Sequence, residues 1–220
     1  MSIEENLKYI NGKLGKSTKL IAISKTKPVS LLKECYDAGQ RRFGENKVQE
    51  MVEKQSQLPP DIEWHLVGHL QTNKVKYIAS FVGMIHSVDS LKLLIEINKQ
   101  AEKHQRIISC LLQIYIAKEE TKFGLDEAEV MALLNDASFS SLKNIRIAGV
   151  MGMATNTDDM NQVRNEFHQL KVLSEKLKNL YASEAHPFNE ISMGMSSDYE
   201  LAIAEGSTMV RVGSSIFGTR

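Results

Sequence analysis

Short runs of consecutive apolar residues alternate along this chain with stretches whose apolar positions recur every three or four residues. The runs are Leu20–Ser24, Glu63–Gly68, Met84–Val88, Cys110–Tyr115, Ile145–Met153, Ile191–Met195 and Met209–Gly213, and the more polar Arg42–Asn46 looks like a further strand, second in order, running into a helix. Their length and continuity predict strands buried on both faces. Between them the spacing predicts helices. Ile3, Leu7, Ile10 and Leu14 mark an amphipathic helix at the N-terminus. Leu31, Leu32, Cys35 and Tyr36 share the inner side of a short helix that follows Pro28 and Ser30 and is closed by Gly39. Asp89 or Ser90 caps a helix with Leu91, Leu94, Ile95 and Asn98 on one face, and Asp126 with Glu129 has capping-box spacing. A longer helix carries Val163, Phe167, Leu170, Leu173, Leu177 and Leu180. Ser197 with Glu200 predicts a second capping box, opening a short helix that ends at Gly206.

Strands that are each followed by a helix imply a parallel sheet covered by helices. About eight such units predict an α/β fold, a single (β/α)8 TIM barrel with an N-terminal helix. An open doubly wound sheet is the alternative, and it needs fewer strands. No linker or low-complexity tract interrupts the pattern, so residues 1–220 read as one domain.

Composition narrows the function classes. The 220 residues carry 27 Lys+Arg and 27 Asp+Glu, for a net charge of zero. A nucleic-acid binder would show a basic excess. There is no membrane span and no signal-peptide core. Two cysteines, Cys35 and Cys110, cannot build a disulfide framework or a four-thiolate zinc site; they read as reduced thiols of a cytoplasmic protein. His65 and His69 have metal-like spacing, but along a strand they would stand roughly 13 Å apart. No metal site is expected. His69 follows Gly68 at a strand end and could face a ligand. Met151 and Met153 read as core or as packing for an aromatic ligand. No Walker loop, GxGxxG or GxSxG appears.

In such a barrel the chemistry sits where strands end. Lys25 follows the first strand directly. At an apolar barrel mouth desolvation disfavours an ammonium, and a neutral amine is the nucleophile that a Schiff base needs. Lys27 competes for this role, two residues further out. After the seventh strand come Ser196 and Ser197, and after the eighth come Gly213, Ser214 and Ser215. Turns of this kind present backbone N–H groups to phosphate. Arg211 alternates with Val210 and Val212 and so faces either the barrel interior or a helix carboxylate. Asn46, after the second strand, is either a ligand donor or a helix cap.

The segments LIAISKTKP, RRFGENKVQE, EWHLVGHLQTNKVK and ISMGMSSDYELAIAEGSTMVRVGSSIFGTR resemble the pyridoxal phosphate homeostasis proteins, from about Leu20 to Arg220. The resemblance implies fold type III of the pyridoxal phosphate proteins, the fold of the alanine racemase N-terminal barrel. It implies that Lys25 holds pyridoxal 5′-phosphate as a Schiff base. Ser196, Gly213 and Ser214 match positions around the cofactor phosphate, with Ser197 and Ser192 beside them. Arg211 matches the arginine facing the pyridine nitrogen, and Asn46 a residue on the phenolic-oxygen side of the ring. The chain departs from the family in a short segment before the first strand and in stopping a few residues early.

The implied function is to carry or buffer pyridoxal phosphate in vitamin B6 and amino-acid homeostasis, with no turnover and no catalytic residue. Its partners would be the cofactor and the apo-enzymes that need it, and the protein would be a monomer. The alternative is a PLP-dependent amino-acid racemase. That reaction needs a second base, which in alanine racemases comes from a second domain not expected here; Tyr115 and Tyr199 have no assigned role. A Schiff-base aldolase is a third reading, but its lysine usually lies on a later strand.

Overall fold

The computed structural model describes residues 2–15, 17–117 and 123–218. Its centre is a closed parallel barrel of β1 (Lys19–Ile23), β2 (Arg42–Glu45), β3 (Glu63–Leu66), β4 (Met84–Val88), β5 (Ile108–Ile114), β6 (Ile145–Gly152), β7 (Glu190–Ser192) and β8 (Met209–Val212). Each strand pairs with the next. β8 returns to β1 in a register that sets Lys19 against Met209 and Ile21 against Arg211. The closed barrel, and not the open sheet, is therefore the fold.

Outside it lie α1 (Ile3–Lys13), α2 (Val29–Asp37), α3 (Val48–Gln55), α4 (Leu91–Lys103), α5 (Glu127–Asn135), α6 (Met160–Tyr181), α7 (Tyr199–Ala204) and α8 (Ser214–Phe217). Only a 3-10 turn, Thr72–Tyr77, stands between β3 and β4.

Alternation along the strands divides the apolar residues into two layers. Leu20 and Ala22 of β1, and Val210 and Val212 of β8, face the helices. Ile21, Ile23, Met84, Leu111, Ala148, Met151 and Met209 fill the barrel interior. Each fully buried aliphatic side chain contributes about 1.5–3 kcal/mol. The long α6 adds Val163, Phe167, Leu170, Leu173 and Leu177 to the outer layer.

Several local expectations hold. Gly39 ends α2 with φ 99°, and the Asp126–Glu129 capping box opens α5. Ser90 caps α4 through the backbone N–H of Leu93. Others need correction. The inner face of α4 is Leu93, Leu94, Ile97 and Ala101, and Ile95 is exposed. Leu180 is exposed as well, because the inner face of α6 passes from Leu177 to Tyr181, four residues on. Ser197 and Glu200 form no capping box. Asp198 stands at the cap of α7, and its carboxylate accepts from the N–H of Met195 instead. A further capping box with the same spacing, Ser2 with Glu5, starts α1.

β7 stops at Ser192, short of the expected Met195, because the chain turns at Gly194 with φ 92°. A Cβ there would stand 2.5 Å from the Cβ of Ala202. Gly194→Ala should therefore lose roughly 1–3 kcal/mol from backbone strain alone, before the clash with α7 is counted. Urea unfolding would measure it, and a loss below about 0.5 kcal/mol would show that the turn can relax.

Candidate functional site

At the C-terminal ends of the strands opens a cavity of about 480 Å³. Lys25, Asn46, Ser196, Arg211, Gly213 and Ser214 all line it, together with Ile23, Val67, Met153 and Met195. The six polar positions singled out in the sequence thus meet in one place, brought there by β1, β2, β7 and β8.

Lys25 lies two residues past β1 on a tightly held turn. Thr26 takes φ 63°, a conformation that costs a non-glycine residue energy unless its surroundings impose it. They do so here. The N–H of Thr26 donates to Glu50 Oε1 at 2.5 Å. The buried ammonium of Lys54 donates to the carbonyl of Ser24 at 2.7 Å, to Glu45 Oε1 at 2.7 Å and to Glu50 Oε1 at 2.6 Å. The Ser24 hydroxyl donates to the same Glu45 oxygen at 2.6 Å. Burial pushes the Glu45 carboxyl up, against the lowering pull of Lys54 and Ser24, and its Oε2 finds no hydrogen-bond partner among the described residues. This buried cluster fixes the backbone on both sides of Lys25. Lys27 also lines the cavity, where its ammonium donates to the carbonyls of Phe217 and Gly218.

Arg211 points inward. It is 4% exposed, and its guanidinium bonds to Ser192 of β7 and Gly152 of β6 and not to a helix carboxylate, so the outward reading is wrong. Nη1 donates to the Ser192 carbonyl and hydroxyl, both at 2.7 Å, and Nη2 to the Gly152 carbonyl at 3.0 Å. Burial lowers its pKa to about 10, opposed by the carboxylate of Asp198, so it stays charged at neutral pH. Ser192 is therefore committed to the arginine and lies apart from the phosphate-like turns, which corrects its placement beside them.

Those turns are tied together. The N–H of Gly213 donates to Ser196 Oγ at 3.1 Å. The Ser196 hydroxyl proton is then available to the cavity that it lines. Ser214 and Ser215 open α8, where the first N–H groups of a helical turn have no partner within it. Asn46 is not a helix cap. Lys47 occupies that position and makes no side-chain cap, while Gly68 packs so closely that a Cβ there would meet the Asn46 carbonyl at 2.3 Å.

His69 takes no part in lining the cavity. It lies 3.3 Å from Asp89 and stacks on Phe123. Met151 is buried in the barrel interior and Met153 edges the cavity. Among the described residues no group of three His, Cys, Asp or Glu side chains could hold a metal ion. None of their helices is long and apolar enough to cross a membrane.

The set has a definite chemical capacity. A lysine amine can condense with an aldehyde. A guanidinium offers donors only, which suits an unprotonated ring nitrogen. Hydroxyl and backbone donors at paired turns suit a phosphate.

The sequence profile described as "Alanine racemase, N-terminal domain" matches residues 1–220. A pyridoxal phosphate homeostasis protein of Vibrio alginolyticus is 36% identical over 234 residues, covering 100% of this chain and 98% of its own. The chain belongs to the pyridoxal phosphate homeostasis proteins. The homologue of the same description from Aquifex aeolicus is 39% identical, with 92% of this chain and 87% of that one covered.

Among solved structures, PipY of Synechococcus elongatus PCC7942 superposes with a TM-score of 0.92 without PLP and 0.90 with PLP bound. It is 37% identical and covers 99% of this chain and 100% of its own. The alanine racemase of Bartonella henselae, at 15% identity and TM-score 0.73, shares the fold across 99% of this chain and 58% of its own.

Two features of the site escaped the sequence. The Ser24–Glu45–Glu50–Lys54 cluster and the partners of Arg211 inside the barrel depend on register between strands, which spacing along one segment does not reveal.

Proposed function

We propose that this protein binds pyridoxal 5′-phosphate in the cavity, held on Lys25 as a Schiff base, and carries or buffers it without a reaction of its own. The observation that carries this reading is the convergence of Lys25, a buried Arg211 held by three hydrogen bonds, and the linked Ser196–Gly213 turns on one cavity. When bound, the cofactor supplies an aldehyde for the lysine and a pyridine ring able to accept electrons. Arg211 offers that ring a donor from a charged group and so disfavours a protonated ring nitrogen. Ser196, Gly213 and Ser214 hold the phosphate side, and Asn46 lies toward the phenolic oxygen. Ile23, Val67 and Met153 give the cavity an apolar wall that would shield a bound ring from water.

The homologues' shared description and the PLP-bound PipY structure support the reading. It includes a role in vitamin B6 balance, a cytoplasmic monomer, and apo-enzymes as recipients. The buried, free thiols of Cys35 and Cys110 fit a reducing compartment.

The test is a visible absorption spectrum before and after borohydride, with the reduced peptide mapped. A yellow, reducible chromophore on Lys25 is expected. A protein that stays colourless and takes up no added pyridoxal phosphate would overturn the reading. A racemase assay on the loaded protein decides between carrier and enzyme; turnover would replace the carrier reading with the racemase one. Arg211→Gln should weaken cofactor retention by about tenfold, the usual scale of one charge-assisted hydrogen bond. An unchanged dissociation constant would show that the ring does not use the guanidinium.

A further inference from the structure

Four polar side chains cross the otherwise apolar barrel interior in a line. Arg211 Nη1 lies 2.7 Å from Ser192 Oγ. Ser192 Oγ lies 2.9 Å from His86 Nδ1, and His86 Nε2 lies 2.8 Å from His65 Nδ1. His65 Nε2 lies 3.2 Å from Glu63 Oε1, at ion-pair distance but without hydrogen-bond alignment. Ser192, His86 and His65 are fully buried. Met84, Leu111, Ala148, Met151 and Met209 surround the line with apolar surface. A buried polar chain of this kind is costly unless every member is satisfied.

The direction of the chain follows from proton counting. Arg211 can only donate, so one lone pair of Ser192 Oγ is taken. Among the described residues His86 is the remaining side-chain partner of that hydroxyl, so the proton is satisfied only if Ser192 donates to His86 Nδ1. Burial, with the neighbouring His65 and the charge of Arg211, holds His86 well below the usual imidazole range and therefore neutral. Its single proton then sits on Nε2 and donates to His65 Nδ1. That leaves an N–H on His65 Nε2 facing the Glu63 carboxylate, which also pairs with Arg42. The opposite order strands the serine proton, and with neutral rings it sets a bare nitrogen against the carboxylate.

We propose that Ser192, His86 and His65 are positioning residues for Arg211, joined as a one-way donor chain from the guanidinium to His65, whose far nitrogen faces Glu63 at the barrel floor. Three of the five N–H groups of Arg211 are spent on the barrel wall, on Ser192 and Gly152. The guanidinium therefore keeps one orientation, with its remaining donors for the cavity that it lines. Such a fixed donor selects ligands that present an aromatic nitrogen as acceptor. This ligand statement rests on the function proposed above; the direction of the chain does not.

Two measurements test the proposal. The first is ¹⁵N NMR of the cofactor-free protein at neutral pH, assigned with His86→Gln and His65→Gln variants. The expected signature is His86 protonated on Nε2 and bare on Nδ1. A proton on Nδ1 of His86 would overturn the proposed direction. The second is titration with pyridoxal 5′-phosphate of Ser192→Ala and Ser192→Thr, with borohydride trapping on Lys25 as the control. Ser192→Ala should weaken binding five- to tenfold and shift the visible band, while Ser192→Thr, which keeps the hydroxyl, restores both. Equal behaviour of the two variants would overturn the positioning role. Failure of the wild type to take up the cofactor would instead overturn the function, and the NMR result would still stand as the test of the chain.

Discussion

Lys25→Ala is expected to abolish the borohydride-stable adduct with pyridoxal 5′-phosphate and to leave the fold intact. Among the described residues Lys25 has no hydrogen-bond or ion-pair partner, and its turn is held by its neighbours. Removing the side chain should therefore cost no more than about 0.5 kcal/mol of stability, the range of substitutions that break no buried contact. Binding should become non-covalent, with the phosphate turns and Arg211 still retaining the cofactor more weakly. Mass spectrometry after borohydride reads the adduct, and thermal unfolding reads the fold. An adduct that persists would transfer the role to another amine, Lys27 first, because it lines the same cavity.

Lys54→Met should have the largest effect on stability. It removes the cation from beside a fully buried Glu45 and frees the Ser24 carbonyl and Glu50 together. Breaking one side of a buried ion pair costs about 3–5 kcal/mol, because the other charge is left without compensation. Glu45, already pushed up by burial, should then take up a proton. Urea unfolding of the single variant and of Lys54→Met with Glu45→Gln would resolve the pair. The double variant should recover part of the loss, since no carboxylate remains to be neutralised. A single variant within about 1 kcal/mol of the wild type would show the cluster to be energetically neutral. The same variants should also slow adduct formation on Lys25, through the backbone of Ser24 and Thr26.

These two lysines also mark how far the sequence could be read. Lys25 stands out because it follows an apolar strand in a fold whose loops hold the chemistry, and the same logic places Ser196, Gly213 and Ser214. Arg211 could be narrowed to two faces by alternation, and barrel closure against β1 decided between them. Lys54 carries no comparable mark. It sits at helical spacing among Glu50, Glu53 and Gln57, where a lysine ordinarily faces water, and only the approach of α3 to Ser24 and Glu45 buries it. His65, His86 and Ser192 come from three strands, and their meeting depends on the stagger of the barrel. Ser197 misled because Ser-x-x-Glu spacing is local, whereas the adjacent Asp198 could reach back to Met195 and take the cap position itself.

The seam of the barrel joins β1 to β8, and Lys27 reaches across it to the carbonyls of Phe217 and Gly218. During synthesis β1 emerges long before β8, so the cavity has neither its far wall nor Arg211 until β8 has left the ribosome. A nascent chain that lacks β8 therefore cannot assemble the cavity. Contacts this distant in sequence also make closure the slow event of folding, so ligand capture in refolding experiments should report the last step and not the first.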